Sequence, residues 1–193
     1  MEFWFDFAST YSYLAAARID QIARVVWRPF VLGPIFARFG WQDSPFNLYP
    51  AKGAYMWRDM ARTSERLAIR FRKPSVFPRN SVLAARVALV GADEPWLPQF
   101  ARAVFEANFV HDKDIAAPSE LAAILDGLGL PTELVARAQS PEYKPRLRAQ
   151  TERATELGIF GAPTFVSDGE LFWGNDRLDE AVAWAKRPRV EKS

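Results

Sequence analysis

The chemistry open to this chain is narrowed by what it lacks. It has no cysteine and a single histidine, His111. That excludes a disulfide framework, a thiolate zinc site, a protein-based thiol redox couple and a cysteine nucleophile. One histidine also argues against a His-rich metal site or a Ser-His-Asp triad, so no metal is expected. What remains is a set of hydroxyls in distinctive places. Ser9-Thr10-Tyr11-Ser12 follows the aromatic run Glu2-Phe3-Trp4-Phe5-Asp6-Phe7. A hydroxyl at a strand-to-helix turn lies near backbone N–H groups that stabilise an anion. Taken alone, the segment favours the plainer reading that Ser9 or Ser12 caps a helix. Any thiol chemistry must come from a bound ligand.

Two later segments carry similar signals. In Gly161-Ala162-Pro163-Thr164-Phe165-Val166 a proline opens a strand-like run, and a minority of X–Pro bonds are cis. In Phe172-Trp173-Gly174-Asn175-Asp176-Arg177-Leu178, Asn175 or Asp176 suits the cap of a final helix. Singly, each reads as structural. Three other features read as bland. His111 with Asp112 and Asp114 forms no known ligand pattern and reads as a surface loop between helices. Lys144, Arg146, Arg148 and Arg153 interleave with Glu142, Glu152 and Glu156, the pattern of a solvated helix face. The aromatic residues Trp41, Phe46, Tyr49, Tyr55 and Trp57 suit either a core or the wall of an aromatic pocket.

The elements that must position these residues follow from periodicity. Strands are expected near residues 2–7, 25–31, 163–167 and 170–173, with Asp168-Gly169 as a hairpin turn. A helix is expected over residues 13–23, so the first thirty residues form a βαβ unit with a parallel strand pair. Residues 34–158 are mostly helical and punctuated by prolines, with helix starts after Pro118 and Pro131. A last amphipathic helix covers about 178–185, and the polar tail 187–193 is expected to fray. The expected organisation is one discontinuous unit, 1–33 plus 159–193, interrupted by a helical insertion at 34–158.

At 193 residues the chain suits one core better than two full domains. Its 25 Lys and Arg against 23 Asp and Glu give a net charge of +2, too slight to make nucleic acid or an anionic membrane the main partner. No apolar run has the length to cross a bilayer and no signal-peptide pattern opens the chain, so the expected address is cytoplasmic.

Order and combination add a further clue. βαβ, then helices, then a Gly-x-Pro-Thr segment opening a ββα unit resembles an α/β thioredoxin fold of the DsbA-like kind with a helical insertion. Ser9-Thr10-Tyr11-Ser12 occupies the place where thiol oxidoreductases of that fold carry Cys-x-x-Cys. The segments Phe5-Asp6-Phe7-Ala8-Ser9-Thr10-Tyr11-Ser12-Tyr13-Leu14, Tyr49-Pro50-Ala51-Lys52-Gly53-Ala54-Tyr55-Met56, Phe77-Pro78-Arg79-Asn80, Gly158-Ile159-Phe160-Gly161-Ala162-Pro163-Thr164-Phe165 and Trp173-Gly174-Asn175-Asp176-Arg177-Leu178 resemble the 2-hydroxychromene-2-carboxylate isomerases and the related kappa-class glutathione transferases. The last of them is closer to the isomerase branch.

The resemblance implies glutathione as cofactor, a small aromatic carboxylate as substrate and a homodimer. It implies that Ser9 hydrogen-bonds the glutathione sulfur, and that Ala162, before the expected cis Pro163, offers backbone groups to the cysteinyl part. Trp173, Gly174, Asn175 and Asp176 would hold the γ-glutamyl end, with Lys52, Asn80 and Ser81 toward the substrate. The implied reaction interconverts 2-hydroxychromene-2-carboxylate and trans-o-hydroxybenzylidenepyruvate by reversible thiolate addition. A kappa-like transferase or peroxidase, or a non-catalytic thioredoxin-fold module, are the alternatives. Two positions depart from the family pattern: Thr10 stands where proline is usual, and Gln42-Asp43-Ser44-Pro45 where the transferases place an asparagine.

Overall fold

The computed structural model describes residues 1–188, and the expected frayed tail lies outside the described residues from Arg189 onward. The elements run β1 (Glu2–Phe5), α1 (Thr10–Ala16), α2 (Ile19–Ile22), β2 (Val26–Pro29), α3 (Leu32–Arg38), α4 (Pro45–Leu48), α5 (Pro50–Arg66), α6 (Val82–Val90), α7 (Leu97–Phe109), α8 (Pro118–Gly127), α9 (Glu133–Gln139), α10 (Tyr143–Glu156), β3 (Thr164–Ser167), β4 (Glu170–Trp173), a 3₁₀ turn (Asn175–Arg177) and α11 (Leu178–Lys186). One sheet of order β2-β1-β3-β4 forms the centre. β1 pairs parallel with β2 and antiparallel with β3, and β3 pairs antiparallel with β4. This is the DsbA-like thioredoxin arrangement, with helices α3–α10 between the two halves of the sheet.

The apolar run of β1 is continuous because both of its faces are buried. Phe3 and Phe5 point into a large core with Trp27, Phe165 and Phe105, while Trp4 points the other way, onto Phe30, Ile35 and Val166. Ring centroids on the first face lie 4.9 to 5.9 Å apart. That core also takes in Met56 and Met60 of α5, Val87 of α6 and Val135 of α9. Sheet and helical segment therefore share one apolar interior.

Strand and helix ends differ from the expected ones for local reasons. β1 stops at Phe5 because the Asp6 side chain accepts from Ala8 N–H at 2.9 Å, turning the chain. β2 stops at Pro29, which has no N–H to give, and this is tolerated on the edge strand of the sheet. The single helix expected over 13–23 is broken at Ala17 and Arg18 into α1 and α2. The break lets Ile19 enter the core and carries the Arg18 guanidinium to Asp179, 3.2 Å away. Asp168 and Gly169, at φ 50° and 83°, close the β3–β4 hairpin with the doubly left-handed geometry of a type I′ turn. Neither Asn175 nor Asp176 caps α11. Gly174, at φ 117°, folds the next residues into the 3₁₀ turn instead, and Arg177 precedes α11 without a side-chain cap. Among the described residues no helix is long and apolar enough to cross a membrane.

Gly53 is a packing requirement rather than a flexible point. It sits inside α5, and a Cβ there would overlap the carbonyl oxygen of Phe46 in α4. Gly53→Ala should therefore lower stability by about 1–3 kcal/mol in urea unfolding, the usual cost of forcing atoms into a packed contact. Gly127→Ala, at a helical position with nothing within 4 Å of an added Cβ, should raise it by about 0.5–1 kcal/mol.

Candidate functional site

The turn from β1 into α1 is built by Asp6 and Ser9. Asp6 Oδ1 accepts from Ala8 N–H at 2.9 Å and from the Ser81 hydroxyl at 2.6 Å, while Oδ2 accepts from Leu32 N–H at 2.7 Å. The Asp6 carbonyl accepts from Ser9 N–H at 2.9 Å. Asp6 is 3% exposed. Burial raises its carboxyl above the usual 3.8, against the lowering effect of its donors, Ser81 foremost. Ser81 is the one partner able to reverse: its hydroxyl donates to the carboxylate and can accept from the acid form.

Ser9 is the α1 cap. Its Oγ accepts from Ser12 N–H at 3.1 Å and donates to the Ala162 carbonyl at 2.9 Å, across 153 residues of sequence. Ser12 is wholly buried and its own hydroxyl has no partner, so of the two serines only Ser9 is placed for chemistry. The Ala162–Pro163 bond is cis, as is Phe77–Pro78, where no cis bond was expected. Thr10 is 1% exposed, and its hydroxyl donates to Met56 Sδ at 3.4 Å. Unlike proline it keeps an amide N–H, one of those that a helix start leaves without an intrahelical acceptor.

A single cavity of about 1510 Å³ runs past this turn. Ser9, Lys52, Asn80, Ser81, Ala162, Trp173, Gly174, Asn175 and Asp176 all line it. Pro163, which the resemblance put at the cofactor, does not line it. Their availability differs. Ser81 has committed its hydroxyl to Asp6, and Asn80 Oδ1 accepts from Val82 N–H at 2.9 Å. Asn175 is 5% exposed, with its amide oxygen 3.5 Å from Arg18. Trp173 is half exposed and packs edge-on against Phe160 at 4.8 Å. A Cβ on Gly161 would meet the Trp173 indole nitrogen. Lys52 sits over the Tyr49 ring, 5.1 Å from its centre. Asp43, in the segment that departs from the family pattern, accepts from Ser44 N–H and from the Asn47 amide.

The cavity also gathers residues to which the sequence pointed weakly or not at all. Tyr11 donates its hydroxyl to Asp59 Oδ2 at 2.9 Å. Burial, then that bond, then the charges of Asp59 and Asp176 push its phenol well above 10, so it stays protonated. Asp59 belongs to a face of α5 that lines the cavity with Lys52, Tyr55, Thr63 and Arg66. Their spacing of three and four was the available signal. Arg79, another lining residue, is held by Asn108, Ser75 and Asp112. The Ser75 N–H and then Arg79 hold Asp112 down to about 2. The aromatic residues divide: Trp41, Phe46 and Tyr55 line the cavity, whereas Trp57 packs on Phe71 and Phe77. On α10, Arg146, Arg148 and Arg153 pair with Glu142, Glu152 and Glu156, as a solvated face requires.

Similarity to known proteins covers almost the whole chain. A family model described as a DSBA-like thioredoxin domain matches residues 1–183. A 2-hydroxychromene-2-carboxylate isomerase from Sphingobium xenophagum is 28% identical over 188 residues, 93% of this chain and 94% of that protein. Glutathione S-transferase kappa 2 from Caenorhabditis elegans is 27% identical over 209 residues, 97% of this chain and 92% of that protein. The solved structure of an isomerase of the first kind has a TM-score of 0.86 at 24% identity, covering 95% of this chain and 92% of that one.

Because burial raises Asp6, the folded protein keeps a proton there at pH values where the unfolded chain has lost it. Its contribution to stability is largest below the ordinary carboxyl range and declines as pH rises through the elevated value. Urea unfolding from pH 4 to 8 should show wild type losing stability relative to Asp6→Asn as pH rises. A difference that does not vary with pH would mean that Asp6 titrates alike in both states.

Proposed function

We propose that this chain, which belongs to the DSBA-like thioredoxin domain family, is a glutathione-dependent isomerase acting on 2-hydroxychromene-2-carboxylate or a related aromatic carboxylate. The observation that carries the reading is the Ser9 hydroxyl, held between Ser12 N–H and the Ala162 carbonyl on the wall of the cavity. The cavity fits a thiol tripeptide. It is large, it has the cis-proline loop at one wall, and the charges of Asp59 and Asp176 both act on Tyr11, where an ammonium group would find counter-charge. When bound, glutathione would supply a nucleophilic thiolate that adds reversibly to a double bond and leaves it free to rotate.

The protein's part is to hold that sulfur and keep it ionised. Ser9 has one hydroxyl proton, which it donates to the Ala162 carbonyl. A cysteinyl N–H arriving at that carbonyl would take over the acceptor and release the Ser9 proton toward the sulfur. The bond from Ser12 N–H to Ser9 Oγ polarises the hydroxyl as a donor. The Thr10 amide adds a second N–H that proline at this position would lack. A charged hydrogen bond of this kind is worth about 1.5–3 kcal/mol, which lowers a thiol of pKa ~8.5 by about one to two units. Trp41, Phe46 and Tyr55 supply an apolar wall for an aromatic ring, and Lys52 supplies a cation for its carboxylate.

A second reading is favoured by the kappa-class relative, which matches as much of the chain as the isomerase does: the same site would conjugate or reduce electrophiles and consume glutathione. The test is isomerisation of 2-hydroxychromene-2-carboxylate followed by absorbance, with and without glutathione, for wild type and Ser9→Ala. Conversion should need glutathione, leave it unconsumed, and drop by about 10- to 100-fold in Ser9→Ala, the loss of one donor to a charged sulfur. Consumption of glutathione would select the transferase. Conversion indifferent to glutathione or to Ser9 would sink both readings.

A further inference from the structure

We infer that Arg66, with Thr63, takes the α-carboxylate of a thiol ligand's γ-glutamyl group, so that a free α-amino acid head is what this cavity selects in its thiol. The inference rests on the glutathione reading above and names a determinant of that ligand's specificity.

The charges of the cavity wall are mostly spent. Arg79 is used by Asn108, Ser75 and Asp112, and Arg177 by Asp176 and Glu180. Lys52, given above to the substrate carboxylate, lies over the Tyr49 ring. Arg66 is exposed, and among the described residues its guanidinium makes no hydrogen bond or ion pair. It lies seven residues after Asp59 and three after Thr63 on the same face of α5, and both of those residues line the cavity. Two helical turns are about 10 Å along the axis. Long side chains on a helix lean back toward its N-terminus, which carries the Arg66 guanidinium over Thr63 toward Asp59.

The ligand chemistry follows from the signs. Asp59 accepts the Tyr11 hydroxyl and pairs with Arg62 at 3.3 Å, and Asp176, 3.6 Å from Arg177, is close enough for its charge to act on the same phenol. Both arginines are exposed, and surface pairs of this kind are weak enough to yield to a ligand ammonium. An anion alone would meet those two carboxylates. A cation alone would leave Arg66 without a partner. An α-amino acid head satisfies both, its ammonium toward the carboxylates and its carboxylate on the planar guanidinium, which matches it with paired N–H donors. Thr63 adds a hydroxyl between them.

The test is binding, read from the ultraviolet absorbance of the bound thiolate, for three thiols: glutathione, its analogue lacking the α-carboxylate (4-aminobutyryl-cysteinylglycine), and its analogue lacking the α-amine (glutaryl-cysteinylglycine). Wild type should bind glutathione about tenfold more tightly than the decarboxylated analogue, the usual size of one charge-assisted contact. Arg66→Gln should weaken glutathione by about tenfold and leave the decarboxylated analogue unchanged, with part of the loss restored in Arg66→Lys. An Arg66→Gln protein that weakens both thiols alike, or neither, overturns the inference while leaving the glutathione site standing. Wild-type protein that binds none of the three thiols overturns the glutathione reading itself.

Discussion

The rest of the site depends on one buried carboxylate. Asp6 gathers an amide from the turn before α1, an amide from the start of α3 and a hydroxyl from the start of α6. Each of those segments forms a wall of the cavity. Taking a carboxyl out of water is costly unless donors surround it, and its donors come from parts of the chain up to 75 residues apart. The group is therefore a tie among walls that local sequence would leave independent. Its cost is visible in the elevated carboxyl of Asp6, and its return is a turn in which Ser9 can have only one orientation.

The second tie is the Ser9–Ala162 bond, which closes the first βα turn against the cis-proline loop. It joins the two halves of the sheet at the edge that faces the cavity, over an aromatic core that already fixes their pairing through Phe3 and Phe165. On the proposed function a ligand amide would displace the hydroxyl proton from that carbonyl, and the contact that closes the turn would become the one that holds a sulfur. Glycines serve the same geometry from outside. Gly161 lets Trp173 lie on the loop, and Gly53 lets α4 close on α5.

Much of this was legible before folding. The four strands, the Asp168-Gly169 hairpin and the helical middle stand where periodicity and turn residues put them. The aromatic β1 run was legible as a strand, and its burial on both faces came only with its partners. Errors fell where a side chain overrides a local pattern. Arg18 breaks a continuous helical period to reach Asp179. Gly174 turns two good capping residues into a 3₁₀ turn. The motif residues that share the cavity sit in short, ordered segments, but the motifs did not say which serine would line it. Ser9 and Ser12 are equivalent as caps in sequence, and only the structure separates them: Ser9 is the cap and lines the cavity, whereas Ser12 lies inside α1 with its hydroxyl wholly buried.

By itself the sequence determined the order of strands and helices, the absence of any protein thiol and the strand-to-helix position of Ser9, because these follow from composition and from patterns a few residues long; the thioredoxin fold class came with the family resemblance. Only the tertiary structure decided that Ser81 serves Asp6, that Tyr11 meets Asp59, and that Asp59, Thr63 and Arg66 share a cavity wall with Asp176. Those relations join residues 48 to 75 or more positions apart. Contacts at such separations are set by how helices and sheet pack on a common core; the helical spacing of Asp59, Thr63 and Arg66 marks a shared face, but nothing in the chain says what that face meets.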